Sequence, residues 1–507
     1  MLKYIDPKEH GIIIDDYTVR AKLKSDLSSY EIMAHIYIVD AGDRYLYVIN
    51  EPYRDLYELV NEILRYIQNF IKYDDAFFYD PVAYIIELYN RHIEESKKIL
   101  KRILGSEYEI KAKSIREALK YYLIRNILGY GDVTYPLADE YVEDISCDRP
   151  SSTIKIWHKR YNDKGWLESN IFLTSNELDT YISKLAYRSG KNINVLQPVL
   201  EGTLPEGYRV TATWRKEISP RGSSFTIRKF RSKPYTLPEL VYMGVMNASI
   251  AAYLWRLVEL KKFIIIIGPS GAGKTTLLNA LAHLIHPNLK IISIEEVQEI
   301  HLPYHPSWKP FVTRSGIYLT EYNIFDLLRV ALRERADYII LGESRGEEAR
   351  LIFQAAATGH GCITTFHASD LREALARLTS RPILVDPSMI NLIDTVVALR
   401  FQFNKYNAPN KRILSNVYRQ VNEGWIELYN YDLNGKDFDI INERKEHLLD
   451  LDIDQLKIRR DFLKYLVKIK SFDPKETIER IFYFYQGAYR HINGRWILEG
   501  VYNESRP

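Results

Sequence analysis

The nine residues GPSGAGKTT, Gly268 to Thr276, stand between the apolar run KKFIIII and the helical pattern LLNALAHLI. Gly268, Gly273, Lys274 and Thr275 satisfy the spacing G-x-x-x-x-G-K-[ST], and a strand before it with a helix behind is the context this loop demands. Its glycines let backbone N–H groups face phosphate oxygens at a helix N-terminus. Lys274 then reaches the outer phosphates, and Thr275 offers its hydroxyl to a magnesium ion. The expected cradle is Pro269, Ser270, Gly271, Ala272, Gly273, Lys274, Thr275 and Thr276. The alternative is a Gly-rich turn with an incidental lysine.

Outward from this loop, between Leu237 and about Arg400, helical patterns alternate with the short apolar stretches FIIII, KIISI, DYIIL, CITTF and DTVVAL. That alternation predicts an α/β domain with a parallel sheet and helices on both faces. Strand ends in such a sheet point into the ligand crevice. ADYIILGESRGEEA puts Glu343 at one of them, as the acid that organises magnesium and water; the other reading is a surface glutamate beside Arg345. Glu295, Glu296 and Glu299 cluster after another strand, where one would polarise the attacking water or all would form a solvated turn. His360 and His367 flank a further strand in TGHGCITTFHA, and lone histidines are more often structural.

Before the loop, AHIYIVDAGDRYLYVIN reads as a hairpin around Ala41-Gly42-Asp43. Leu56, Leu59, Val60, Ile63, Leu64, Ile67 and Ile71 then fall on one helical face. Ser114 and Glu117 have capping-box spacing at the start of a further helix that stops near Gly129. From Tyr135 the texture changes to short strands and turns, and RSKPYTLPEL reads as a linker. The expected order is a mixed α+β domain over 1–130, a second over 131–233, a linker at 234–238, the P-loop domain over 239–403 and a mostly helical extension over 404–507.

Composition narrows the function classes. The 507 residues carry 69 basic and 66 acidic side chains, so nothing in the totals calls for a nucleic-acid partner. Two cysteines, Cys147 and Cys362, supply neither a disulfide framework nor a four-thiolate zinc site, which suits a reducing cytoplasm and leaves any metal to oxygen ligands. The opening MLKYIDPKEH has no apolar signal core, and FIIII falls far short of the roughly 20 residues that span a bilayer. Membrane association is therefore expected to be peripheral.

Taken in order, the motifs resemble the secretion ATPases that drive type II secretion, type IV pilus assembly and the archaellum. YPLADEYVEDIS resembles the opening of that family's second N-terminal domain, and GTLPEGYRVTATWRKEISPRGSSFTIRKF its arginine-bearing segment. GPSGAGKTT resembles the Walker A loop, SIEEVQEIHLP the Asp box, YIILGESRGEEA the Walker B strand and TGHGCITTFHA the His box. The resemblance implies a RecA-like core, a ring-shaped homohexamer hydrolysing ATP with Mg²⁺, and ATP sites completed by arginines of the preceding domain. It assigns Glu299 or Glu296 to water activation, Glu343 and Thr275 to the metal, and His367 to the nucleotide region. Arg209, Arg221 and Arg228 become arginine-finger candidates, with Arg329 and Arg333 behind them.

Three departures stand out. Glu296 replaces the aspartate often found in the Asp box, Ser344 replaces an apolar residue and is expected to loosen packing, and the four-cysteine zinc element is missing, which favours the archaeal branch. The resemblance further implies a cytoplasmic motor at the inner face of the membrane, acting on a polytopic platform protein, with residues 1–130 docking the platform or regulators. A conjugation-type or DNA-translocating ATPase, and a nucleotide-binding scaffold with little turnover, remain as alternatives.

Overall fold

The computed structural model describes residues 6–24, 27–71, 79–104, 107–229, 233–313, 321–344, 346–403, 409–421, 424–492 and 495–498. Contacts divide the chain into two units, Met1–Phe230 and Arg231–Pro507.

The first unit is built on one nine-stranded sheet. Its strands are β1 (Ile12–Lys24), β2 (Ser29–Asp40), β3 (Tyr45–Asn50), β4 (Val142–Cys147), β5 (Thr153–His158), β6 (Trp166–Phe172), β7 (Val199–Thr203), β8 (Arg209–Thr213) and β9 (Ser224–Arg228). They lie in the order β1-β2-β3-β6-β5-β4-β9-β8-β7. The expected hairpin is β2–β3, with Asp40 paired to Tyr45. The helix Tyr57–Gln68 buries Val60, Ile63, Leu64 and Ile67, as its stripe requires.

The division expected at 130/131 is corrected by this sheet. β3 pairs in parallel with β6, Leu46 opposite Glu168 and Tyr47 opposite Ser169, and one hydrophobic cluster runs from Val19 to Ile227. Asn170 closes the joint: its Oδ1 accepts from Ile49 N at 2.9 Å and its Nδ2 donates to Ile49 O at 3.0 Å. In the same unit, the buried Arg125 pairs with Glu51 at 2.5 Å and with Asp132 at 2.9 Å. The capping box expected at Ser114 is also corrected, because the helix already begins at Glu107 and Ser114 lies inside it. That helix ends at Ile127, close to Gly129, where Lys184 and Arg188 donate to the carbonyls of Asn126 through Gly129. Cations one helical turn apart thus neutralise a carboxyl end.

The second unit carries β10 (Phe263–Ile267), β11 (Ile291–Glu295), β12 (Trp308–Val312), β13 (Tyr338–Ser344), β14 (Gly361–Phe366), β15 (Ile393–Phe403), β16 (Pro409–Val421) and β17 (Gly424–Asn430). Their order is β12-β11-β13-β14-β10-β15-β16-β17. Strands β10 to β15 pair in parallel, while β16 and β17 add antiparallel. β10 is buried on both faces: Ile264 and Ile266 enter one hydrophobic cluster, Phe263, Ile265 and Ile267 the other. An aliphatic run without polar alternation is what a central parallel strand needs. This is the expected RecA-like α/β core.

Two further boundaries shift. Leu237 and Pro238 are buried in the first turn of the helix Leu237–Tyr242, capped by Thr236, so the expected linker at 234–238 is partly helix; Arg231 and Ser232 of RSKPYTLPEL lie outside the described residues. The tail beyond 403 is not an appendage. β16 and β17 widen the sheet, and the helices Ile453–Lys468 and Pro474–Tyr485 share a core with the helix Ala248–Glu259. Trp255 sits there with Phe462 and Phe484, its Nε1 donating to Tyr485 Oη at 2.7 Å. No described helix is long and apolar enough to cross a membrane.

Candidate nucleotide site

The loop between β10 and the helix Lys274–Ala282 is shaped by two glycines. Gly268 has φ 151°, and a Cβ there would lie 2.5 Å from Leu399 O of β15, so no larger residue fits. Gly273, at φ 95°, is the left-handed N-cap that turns the chain into the helix. Lys274 is buried; its Nζ donates to Gly268 O at 2.9 Å and Pro269 O at 3.0 Å. Thr275 and Thr276 follow in the first helical turn. The N-terminal N–H groups of that helix and its dipole favour an anion at this spot.

On the β14 side of the loop, three expected residues converge. Lys274 Nζ lies 3.4 Å from His367 Nδ1, and His367 Nε2 lies 2.9 Å from Glu343 Oε1. The chain Lys274–His367–Glu343 therefore links Walker A, His box and Walker B. A register shift in β13 aims the carboxylate: Leu341 faces Thr364 and Ser344 faces Phe366, so Gly342 and Glu343 together oppose Thr365. Bulges of this kind redirect a side chain next to a site. Thr365 Oγ1 secures it by donating to Gly342 O at 2.7 Å.

The acidic cluster after β11 resolves into different parts. Glu296 is exposed and Glu299 half-buried, while Glu295 is 4% exposed. Glu295 Oε1 accepts from the N–H groups of Glu299 and Ile300 at 3.0 Å each, and Oε2 accepts from Ile300 at 3.1 Å. Its Cγ lies where a Cβ on Gly342 would come within 2.8 Å. Burial pushes the Glu295 carboxyl up to about 8, outweighing the N–H donors that favour its charge. Asn279 of the P-loop helix holds the same turn, donating to Glu299 O at 3.1 Å and accepting from His301 N at 2.9 Å. Glu295 and Asn279 act by positioning Glu299. Asn279 had one signal in the sequence, a lone amide inside the apolar LLNALAHLI.

Ser344 does not loosen packing: it is buried, with Oγ 2.8 Å from Thr364 Oγ1. His360 stands at the opposite end of β14 from His367 and closes a helix end through Ala355 O and Thr358 Oγ1, so the structural reading fits it. Arg329, in the last turn of the helix Ile324–Ala331, and Arg333, just beyond it, are both exposed. Arg209 and Arg228 face each other in register between β8 and β9, with Arg221 exposed in the connection between those strands. Arg228 Nε is held 2.8 Å from Asp144 Oδ1. All three belong to the first unit, and Lys274 to the second. The oxygen donors at the loop, Thr275 hydroxyl and the Glu343 carboxylate, are hard ligands of the type magnesium takes.

Residues 176–403 match the type II/IV secretion system protein family. An uncharacterized protein of Methanocaldococcus jannaschii is 39% identical over 293 residues, 57% of this chain and 52% of the relative. The type IV secretion system protein PtlH of Bordetella pertussis is 32% identical over 266 residues, 48% of this chain and 77% of PtlH. Among solved structures, the VirB11 ATPase of the Brucella suis type IV secretion system is 26% identical, with 56% of this chain and 93% of that chain covered at a TM-score of 0.29. The chain spans about half the length of the first curated relatives it matches.

Proposed function

The chain belongs to the type II/IV secretion system protein family, and we propose that it is an ATPase motor of that family, working as a homohexamer that converts ATP hydrolysis into assembly of a type IV pilus-like filament. The observation that carries the reading is the Lys274–His367–Glu343 chain across the phosphate loop. A Gly-rich turn with an incidental lysine has no reason to bury that lysine against the residues of two neighbouring strand ends.

In this reading the backbone N–H groups of 271–275 and Lys274 hold the phosphates. Glu299, on the turn fixed by Glu295 and Asn279, takes the proton of the attacking water. Thr275 and Glu343 hold Mg²⁺, which when bound neutralises charge on the outer phosphates. His367 keeps the Glu343 carboxylate oriented. Arg209, Arg221 and Arg228 are the candidates for meeting the transferring phosphoryl group from a neighbouring subunit, a contribution of roughly 10³ to 10⁵ in rate. Movement between the two units would be passed to a polytopic membrane platform protein at the cytoplasmic face.

The likeness to PtlH favours a second reading, in which the same motor energises a type IV secretion or conjugation machine. Salt-sensitive DNA binding by the purified protein would favour its DNA-translocating form.

The test is steady-state ATP hydrolysis across a range of protein concentrations, beside Lys274→Ala and Arg221→Ala. Specific activity that rises with concentration and is lost in both variants supports a site shared between subunits. Nucleotide binding without turnover, with platform protein or lipid added, replaces the motor by a scaffold.

A further inference from the structure

The phosphate loop has two flanks, and the chemistry proposed above uses only one. β10 lies between β14 and β15. Lys274 Nζ, His367 and Glu343 stand together on the β14 flank. On the other flank, the antiparallel pair β15–β16 brings Phe401 directly opposite Arg412. Side chains so paired rise from one face of a sheet within contact of each other.

Both reach the loop. Arg412 Nε donates to Gly271 O at 2.9 Å. Arg412 Cδ lies 3.6 Å from the position a Cβ would take on Gly273, and Phe401 Cζ lies 3.5 Å from the corresponding position on Gly271. Arg412 is exposed, and among the described residues its guanidinium forms no ion pair. A planar cation beside an aromatic ring, both at the rim of an anion-binding loop, makes a surface that suits another flat, electron-rich ring.

The polarity of the site says which ring. The reacting end of a nucleotide belongs where Lys274 and Glu343 are, on the β14 flank, so its nucleoside end is directed away from them. We infer that Phe401 and Arg412 form the nucleoside subsite of the phosphate loop, receiving the purine base through the faces of the phenyl ring and the guanidinium. The inference rests on the P-loop reading above and adds to it the residues that separate a nucleotide from a bare polyphosphate.

The test compares calorimetric binding of Mg-ATP and Mg-tripolyphosphate to the full chain, wild type against Phe401→Ala, Phe401→Tyr and Arg412→Ala. A stacked ring lost from a base is expected to weaken ATP on the order of tenfold in the two alanine variants. Tripolyphosphate affinity is expected to stay within about twofold in Phe401→Ala; Arg412→Ala, which also removes a cation from the rim of the loop, is expected to lose more affinity for ATP than for tripolyphosphate, and Phe401→Tyr, which keeps the ring, to bind ATP like wild type. Unchanged ATP affinity in both alanine variants overturns the subsite. So does an equal loss of ATP and tripolyphosphate, because the pair would then serve only the shape of the loop. Should Arg412→Ala fail to fold, the Phe401 pair of variants decides alone. A wild type that binds neither ligand while folded removes the P-loop reading itself, and the subsite with it; tripolyphosphate bound as tightly as ATP removes the subsite and leaves that reading standing.

Discussion

His367 Nε2 lies 2.9 Å from Glu343 Oε1, so the residue that follows β14 and the bulged residue of β13 hold each other across two parallel strands. The imidazole is turned to Lys274 on its other side, at 3.4 Å. A group that orients a metal-binding carboxylate without touching the metal typically contributes 10- to 100-fold in affinity or activity. His367→Ala is therefore expected to lower ATP turnover by about 10- to 100-fold and to raise the Mg²⁺ concentration for half-maximal activity. His367→Gln, which keeps a donor toward Glu343, should recover part of both. A magnesium titration of ATPase activity reads the effect, and an unchanged magnesium requirement in His367→Ala would remove this role.

Glu296 and Glu299 were equal candidates for water activation in the sequence, and their surroundings separate them. Glu299 sits on the turn tied down by Glu295 and Asn279, whereas Glu296 is exposed. Proton transfer needs a base held in reach of its proton. Glu299→Gln is expected to cut kcat by about 10² to 10⁴ with ATP affinity preserved, and Glu296→Gln to stay within about threefold of wild type. Single-turnover hydrolysis alongside ATP binding distinguishes them, and the reverse order of effects would move the base to Glu296.

What the sequence made legible was local. Loop, strand and helix follow one another around Gly268–Thr276, so spacing and apolar runs sufficed for the shape of the loop, for the position of Glu343 at a strand end and for the parallel core. What it hid depended on pairing between distant segments. β3 and β6 are separated by more than a hundred residues, and no composition shift announces that Leu46 meets Glu168. Phe401 and Arg412 escaped for the same reason, since only the β15–β16 register carries them to Gly271 and Gly273. Glu295 was visible as one of three acids, but which of them turns inward is decided by the end of β11 and the turn after it. Ser114 shows the opposite failure, a correct cap pattern inside a longer helix.

The joint between β3 and β6 predicts how the first unit divides. Removing residues 1–130 strips β6 of β3 and leaves it paired to β5 alone, takes Tyr47, Ile49, Leu119 and Ile124 out of the shared cluster, and separates Arg125 and Glu51 from Asp132. Breaking a buried ion pair alone costs about 3–5 kcal/mol. A fragment 1–230 is expected to unfold cooperatively, and a fragment 131–230 to show no cooperative transition by circular dichroism. A platform-binding assay on a chain lacking 1–130 would then report unfolding as well as docking. A folded, monomeric 131–230 would restore the boundary at 130/131.

Glu295 gives the second unit a pH-dependent stability. Its carboxyl is pushed up to about 8 by burial, above its ordinary value of 4.5. The folded state thus holds the proton more tightly than the unfolded chain, so its favourable contribution is complete below about 4.5 and is lost as pH rises through about 8. Every tenfold difference in proton affinity between the two states is worth roughly 1.4 kcal/mol, which places the loss at a few kcal/mol. Glutamine imitates the protonated form: its Oε1 can accept from the N–H groups of Glu299 and Ile300 as the carboxyl does, and it does not ionise. Glu295→Gln is expected to melt at about the wild-type temperature near pH 5 and roughly 10 °C higher near pH 8.5, on the usual relation of free energy to melting temperature for a unit of this size. Scanning calorimetry of both proteins across that range checks it. A difference that stays constant with pH would mean that Glu295 keeps its charge, held by the three backbone bonds it accepts.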